Sequence, residues 1–194
     1  MHDVQAAGGA PLTDGVPDEQ QTQPKRRMGV LLTVALVVLA LDLTTKLIAV
    51  AQLQEREPVD VIDGILSLRL VRNPGAAFGV AQGLTIALTV IAVVVVLVIL
   101  RIAQRLRSSS WAVGLGLVLG GAIGNLVDRI FREPALFRGH VVDFLELPHW
   151  PVFNLADSAI VSGGVLLVLL SVRGTTYDGA RPGSAERNGV AEKG

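Results

Sequence analysis

Residues 29–50 have the sequence GVLLTVALVVLALDLTTKLIAV, an apolar run interrupted by one acid, Asp42, and one base, Lys46. A helix needs about 20 such residues to cross the hydrocarbon core of a bilayer. A basic KRR triplet precedes the run. The short apolar core and the small residues at a cleavage site that mark a removable signal peptide are missing. The stretch therefore predicts a retained membrane-spanning helix.

Three further apolar runs predict a bundle of four transmembrane helices inside a domain that covers residues 28–173. The spans are expected at about residues 29–50, 84–101, 111–128 and 153–172. The composition agrees, because 51% hydrophobic and 18% charged residues are unusual for a soluble domain. The flanking residues 1–27 and 174–194 are rich in Gly, Pro and polar residues, and we predict disordered tails there.

Charge and cysteine content exclude several classes of function. The formal net charge is zero, whereas nucleic-acid binding depends on an excess of Lys and Arg, so nucleic acid is not an expected partner. The absence of cysteine excludes disulfides, thiolate metal sites and cysteine nucleophiles.

Four spans place both termini on one side, and the flanks and the loop on that side hold about ten Lys and Arg against about six in the other two loops. Both termini are therefore predicted to be cytoplasmic.

The two loops on the predicted outer side differ in character. In the first, Asp63-Gly64 separates two short β-prone runs, which is a signal for a hairpin with a type I′ turn. A small β-sheet or hairpin at the membrane surface is expected, with an irregular loop as the alternative. The second, residues 131–152, is predicted to be a loop that doubles back over the membrane and carries the sequence VVDF.

The third span presents one face of small residues, made by Gly116, Gly120 and Gly124, on which another helix can pack closely. Asp128 continues this face, and Asn125 and Arg129 lie beside it. Asp128 could form a structural ion pair with Arg129 or another basic group, or these residues could belong to a functional site.

Polar residues in the first span and in the following turn also have two interpretations each. Asp42 and Lys46 are spaced i,i+4 and can pair on one helix face, or Lys46 can extend to the interface and leave Asp42 facing the bundle. A structural or positioning role is favoured over direct chemistry for both. Asn73 precedes Pro74 and Gly75, so its amide either only forms the turn or also points inward.

Two acids, Asp143 and Asp157, flank a short break that contains Pro and Trp. Asp157 follows Asn154 by three residues at the start of the fourth span, where a carboxylate is also favoured by the helix dipole alone. Asp143 could be a surface strand residue facing water. If the two acids instead face each other, they share a proton, and the pair can activate a water and polarise a carbonyl. The motifs HExxH and GxSxG are absent.

Taken together, DLTTK, RNPGAAFG, GGAIGNLVDR, VVDF and FNLADSAI resemble, in order and spacing, the motifs of the bacterial lipoprotein signal peptidases, also called signal peptidase II. The resemblance covers residues 29–172. It implies a membrane aspartyl endopeptidase with its active site at the outer leaflet of the cell membrane. The family cleaves prolipoproteins before a diacylglyceryl-modified cysteine and is inhibited by globomycin. Neither a cofactor nor a metal is expected.

By match of motif, the resemblance makes Asp143 and Asp157 the catalytic pair. Residues expected to line or brace the site are Asn73, Gly75, Asn125, Asp128, Arg129 and Asn154, together with Asp42 and Lys46. Trp150 and Pro151 are expected to mark the edge of an apolar cleft that opens into the outer leaflet. The expected partners are the lipidated precursor and membrane lipid, and the expected state is a monomer.

The main alternative from another class is a proton-coupled transporter or channel, with Asp42, Asp128 and Asp157 as a relay. Such a relay needs acids distributed through the depth of the membrane, whereas only Asp42 is expected to lie below the outer interface. A catalytically inactive adaptor is a weaker alternative, because both acids are present. Other intramembrane aspartyl proteases carry a GxGD motif, which is absent here.

Overall fold

The structure is a computed structural model that describes residues 26–75 and 84–179. In chain order its elements are α1 (Met28–Leu53), β1 (Val59–Ile62), β2 (Leu66–Asn73), α2 (Leu84–Ala103), α3 (Ser109–Phe131), β3 (Val141–Glu146) and α4 (Leu155–Val172). All four of these helices are long and apolar enough to span a membrane. The predicted fold class, four transmembrane helices with a small β-sheet, is confirmed. The predicted tails lie mainly outside the described residues, as do residues 76–79 of the motif RNPGAAFG.

The central helix of the bundle is α3, which packs against α1, α2 and α4. Of the 18-residue apolar segment that could span a membrane, 56% is buried in α3, against 17–22% in the other three helices. A Cβ added to Gly120 would lie 2.6 Å from the Ala35 carbonyl oxygen, and one on Gly116 would lie 2.9 Å from that of Leu31. The predicted glycine face is therefore confirmed, and its partner is α1.

A second face of α3, which the sequence analysis did not identify, packs equally closely on α4. A Cβ on Gly121 would collide with the Ala156 carbonyl oxygen, and one on Gly163 would lie 2.8 Å from that of Gly114. The missing side chains let the two helix backbones approach. This contact brings the first turn of α4 against the middle of α3.

The predicted hairpin is confirmed, because β1 pairs antiparallel with β2. Its turn differs from the prediction. Ile65 N–H donates to the Ile62 carbonyl at 2.9 Å, and Gly64 has a φ of +71° whereas Asp63 does not have a positive φ. A type I′ turn requires positive φ at both central residues, so that assignment was wrong.

The segment predicted as a loop, residues 131–152, contains the third strand. Strand β3 pairs antiparallel with β2, with Asp143 opposite Val71, so the sheet order is β1-β2-β3. Val142 and Phe144 of β3 pack on Ala49 and Leu53 at the end of α1. The sheet is thereby fixed to the helical bundle, and Asp143 lies on a strand rather than on a loop.

The first residues after α4 make defined contacts, in contrast to the disordered tail predicted to begin at residue 174. The Trp111 indole donates to the Thr175 carbonyl at 2.9 Å, and the rings of Trp111 and Tyr177 meet edge to face at 6.2 Å. The backbone N–H groups of Arg107 and Ser108 donate to the Tyr177 carbonyl. Residues 174–179 therefore pack on the start of α3, and the predicted disorder was wrong for them.

Candidate functional site

The first turn of α4 is organised by Asn154 and Asp157. Asn154 is the N-cap, and its side-chain Oδ1 accepts the Asp157 backbone N–H at 2.9 Å. In return, Asp157 Oδ2 accepts the Asn154 backbone N–H at 3.3 Å. This reciprocal arrangement is a capping box, which stabilises a helix start. The cap interpretation of Asp157 is therefore correct, and it leaves the other carboxylate oxygen available for further contacts.

Asp143 is buried between β2 and the start of α4, with 1% of its side chain exposed. Its Oδ1 accepts a hydrogen bond from Asn154 Nδ2 at 2.6 Å, and its Oδ2 accepts one from Asn73 Nδ2 at 2.8 Å. The alternative of a strand residue facing water is wrong. Burial raises the pKa of Asp143 to about 6; the hydrogen bond from Asn73 opposes this rise, and the charge of Asp157 adds to it.

Three asparagine amides hold the two acids. Asn154 contacts both of them, Asn73 binds Asp143, and Asn125 Nδ2 donates to Asp157 Oδ1 at 2.7 Å. Each of the four carboxylate oxygens thus accepts a hydrogen bond. The predicted set Asn73, Asn125, Asn154, Asp143 and Asp157 therefore converges on one place, although these residues come from β2, α3, β3 and the start of α4.

Asn73 has both of the functions that the sequence left open. Its Oδ1 accepts the Gly75 backbone N–H at 2.8 Å, which forms the turn, while its Nδ2 binds Asp143. Gly75 has a φ of +105°, and a Cβ there would lie 2.7 Å from a Leu88 methyl carbon. Side chains are strained at such a φ, so Gly75 fixes the turn that aims Asn73.

A buried ion cluster lies behind the acids. Lys46, with no exposed surface, contacts Asp42 at 2.8 Å and Asp128 at 2.9 Å. The predicted i,i+4 pair of Asp42 and Lys46 is confirmed, and the alternative in which Lys46 extends to the interface is wrong. Asp128 also pairs with Arg132, whereas no ion pair joins Asp128 to Arg129 among the described residues. Arg132 was missed, although it lies at i+4 from Asp128, a spacing that signals such pairs.

Arg129 lies at one end of an apolar cavity between α2, α3 and α4. Its Nη1 donates weakly to the Asn125 carbonyl at 3.4 Å, and its buried Nε has no hydrogen-bond partner in the described part of the chain. The cavity has a volume of about 280 Å³ and is lined by Leu88, Ile91, Ala92, Val95, Val118, Ala122, Asn125, Arg129 and Ile160. Its polar end is therefore shared with the site, through Asn125.

Trp150 is not part of this cavity. It is 66% exposed and lines a separate cavity of about 280 Å³ between the β1–β2 turn and the segment after β3. The expectation that Trp150 marks the edge of the apolar cleft finds no support there. Within residues 26–75 and 84–179, no three His, Asp or Glu side chains are arranged to hold a metal ion.

Asp42 also differs in depth from the expectation. Its Oδ1 accepts the Ala156 backbone N–H at 2.9 Å, so it lies at the level of the two candidate catalytic acids rather than far below them. Its other oxygen contacts Lys46. A relay of free acids through the membrane therefore has no support from this arrangement.

Sequence comparisons with known proteins identify one family. A family model described as signal peptidase (SPase) II matches residues 34–173. Similar curated proteins include the lipoprotein signal peptidases of Mycolicibacterium smegmatis, 51% identical over 92% of this chain and 76% of that protein, and of Mycobacterium tuberculosis H37Rv, 49% identical over 92% and 91%. That of Rhodococcus jostii is 53% identical over 86% and 83%.

Solved structures resemble the fold as well. Two of them, both described as a bacterial membrane enzyme, superpose with a TM-score of 0.69 at 26% identity. Each covers 79% of this chain, and the match extends over 94% of one of those chains and 99% of the other.

Proposed function

Because the chain belongs to the signal peptidase II family, it is an aspartic membrane endopeptidase that removes signal peptides from prolipoproteins, and we propose that Asp143 and Asp157 carry out the hydrolysis. The observation that carries this proposal is the double contact of Asn154, whose side-chain amide donates to Asp143 and whose backbone N–H donates to the carboxylate of Asp157. The transporter alternative has no support from the relatives, which are peptidases.

The chemistry follows from two carboxyl groups that hold one proton between them. The ionised carboxylate takes a proton from a water molecule as the oxygen of that water attacks the scissile carbonyl carbon. The protonated carboxyl donates its proton to the carbonyl oxygen. Collapse of the tetrahedral intermediate returns that proton and transfers another to the leaving amine. The two carboxyls titrate as a pair, so neither is assigned as the base. Asn73, Asn125 and Asn154 keep the pair in place.

The apolar cavity supports a lipidated substrate. Its walls come from α2, α3 and α4, and its polar end contains Asn125, which binds Asp157. An acyl chain favours such a cavity over water, whereas the adjoining peptide needs polar contacts. In this proposal the diacylglyceryl-modified cysteine enters from the membrane, with Arg129 beside its polar part. The excess of basic residues on the terminal side supports cytoplasmic termini and a site at the outer face.

We expect cleavage to require the diacylglyceryl group of the substrate and access of the substrate to the outer face of the membrane. In sealed right-side-out membrane vesicles, a diacylglyceryl-modified precursor peptide added from outside is expected to be cleaved, and globomycin is expected to block the reaction. The same peptide without the lipid is the control and is expected to be cleaved at least about 100-fold more slowly, since the apolar contacts position the bond. Equal cleavage of the two peptides would contradict the proposed lipidated substrate. Cleavage only after the vesicles are opened would contradict the proposed orientation of the site.

The raised pKa of Asp143 predicts a pH dependence. The active pair carries one proton, so activity is lost as the pH rises through the pKa of the group that holds it. We expect kcat/KM to reach half its maximum near pH 6 and to fall towards about tenfold per pH unit above that. The measurement is initial cleavage rate at low substrate concentration across that range. A flat profile to alkaline pH would show that no such proton is needed.

A further inference from the structure

The ammonium group of Lys46 lies where three side chains from two helices meet. Its Nζ is 2.8 Å from Asp42 Oδ2, 2.9 Å from Asp128 Oδ2 and 3.0 Å from Asn125 Oδ1. Lys46 has no exposed surface, and among the described residues it forms no ion pair with Asp143 or Asp157. Burial raises the pKa of Asp143 and the charge of Lys46 opposes that rise through space, whereas the contacts of Lys46 reach the two acids through these three partners, which we call the Lys46 cluster.

The first partner, Asn125, determines how one acid is held. An ammonium group can only donate hydrogen bonds, so Asn125 must turn its Oδ1 towards Lys46. Its Nδ2 is then left on the opposite side, where it donates to Asp157 Oδ1 at 2.7 Å. Asn154 Nδ2 also donates to Asn125 Oδ1, at 3.2 Å, so the ammonium at 3.0 Å is the shorter of the two donors that fix the orientation of this amide.

The other two partners bind the backbone beside each acid. Asp42 Oδ1 accepts the N–H of Ala156 at 2.9 Å, and Ala156 directly precedes Asp157. Asp128 Oδ2 accepts the N–H of Val142 at 3.2 Å, and Val142 directly precedes Asp143. The two carboxylates drawn to one lysine thus each hold the residue before a catalytic acid, one at the start of α4 and one in β3.

We propose that Lys46 is a positioning residue for the hydrolysis: through Asn125, Asp42 and Asp128 it holds Asp157 and Asp143 in the geometry that lets them share a water. This role rests on the proposed function of the two acids. It differs from a role in folding alone, because it requires that the loss of Lys46 lowers the rate of the chemical step in protein that is still folded.

The test uses the variant Lys46→Met/Asp42→Asn, which removes one positive and one negative charge and leaves Asp128 paired with Arg132. The asparagine at position 42 can still accept the Ala156 N–H. We expect kcat for the lipidated precursor to fall about 10- to 100-fold, as for the loss of a hydrogen bond to a charged group, with KM within about twofold. A change in KM alone, or an unchanged kcat, would overturn the proposal.

A double-mutant comparison tests whether the effect passes through Asn125. Asn125→Leu is introduced into the wild-type protein and into the Lys46→Met/Asp42→Asn variant. If Lys46 acts through the amide, the second substitution costs much less in the variant than in the wild type, because coupled residues are not additive. Equal costs in both backgrounds would show that Lys46 does not act through Asn125.

Thermal unfolding of each purified variant separates folding from positioning. If the Lys46→Met/Asp42→Asn protein does not fold, Asn125→Asp replaces it, because its carboxylate keeps an acceptor for Lys46 but offers no N–H to Asp157. We expect that variant to fold and to lose at least about tenfold in kcat; wild-type kcat would overturn the proposal.

The matched control is Arg69→Met/Glu146→Gln, which removes an ion pair of 3.0 Å from the surface of the sheet and should leave kcat within about twofold. Asp143→Asn and Asp157→Asn are assayed alongside. If they retain activity, the proposed catalytic pair is wrong; if they do not and the Lys46 variants remain fully active, only the positioning role is wrong.

Discussion

Asparagine at position 143 or 157 is expected to lower kcat for the lipidated precursor by about 10³-fold or more, because an amide can neither accept the proton of the attacking water nor donate one to the carbonyl oxygen. The fold should survive both changes. Asparagine at 157 keeps an oxygen that can accept the Asn154 backbone N–H and so preserve the helix cap. At position 143 the substitution removes a buried carboxyl whose ionised form is disfavoured.

Three measurements make this result specific. Thermal unfolding should show folded protein for each variant, and KM should change little. The double variant should be no slower than the single ones, because two groups that act as a unit are not additive. Asp60→Asn, at an exposed position of β1, is the matched control and should retain wild-type activity. Turnover above about a tenth of the wild-type rate in either single variant would exclude that acid from the chemistry.

Gly121→Ala is expected to be the most damaging small substitution in the bundle. Its new Cβ would collide with the carbonyl oxygen of Ala156, which is backbone, and would lie 2.8 Å from Ile160 Cγ1. The backbone of α4 must therefore move at the residue next to Asp157. A displacement of about 1 Å can cost about 100-fold in rate, and overpacking costs about 1–3 kcal/mol of stability.

The matched control is Gly164→Ala in α4, where a Cβ would meet nothing within 4 Å. Alanine is a better helix former than glycine by about 1 kcal/mol, so the control should keep its activity and its Tm should stay level or rise. The same chemical change is thus expected to have opposite effects at the two positions. A Gly121→Ala protein with wild-type Tm and kcat would show that α4 can move away from α3 without loss of stability or activity.

Local patterns in the sequence were sufficient for several parts of the structure. The four spans follow from apolar length, the hairpin from Asp63-Gly64 between β-prone runs, and the pairing of Asp42 with Lys46 from their spacing. What was missed depends on residues that are distant in the chain. Strand β3 exists because its edge pairs with β2, some 70 residues earlier, and the order of residues 174–179 depends on Trp111.

The candidate site, too, could be predicted from the sequence only in part. Its members were identified from motifs and resemblance, and their roles as a catalytic pair and its supports remain a prediction. Their contacts could be read only from the fold: Asp128 pairs with Lys46 of α1 and with Arg132 rather than with the neighbouring Arg129. Helix neighbours one residue apart point in different directions, so adjacency in GNLVDR was a poor guide to pairing.

The pairing of Asp42 with Lys46 inside one helix has a consequence for biosynthesis. An unpaired lysine or aspartate within a span costs free energy on entry into the bilayer, up to about 3 kcal/mol at the helix centre, and Asp128 lies in α3, which is synthesised after α1. Because the two charges are one helical turn apart, 2.8 Å from each other, α1 carries its own counter-ion and can enter as a nearly neutral segment. A lysine alone would remain exposed to lipid until α3 arrived.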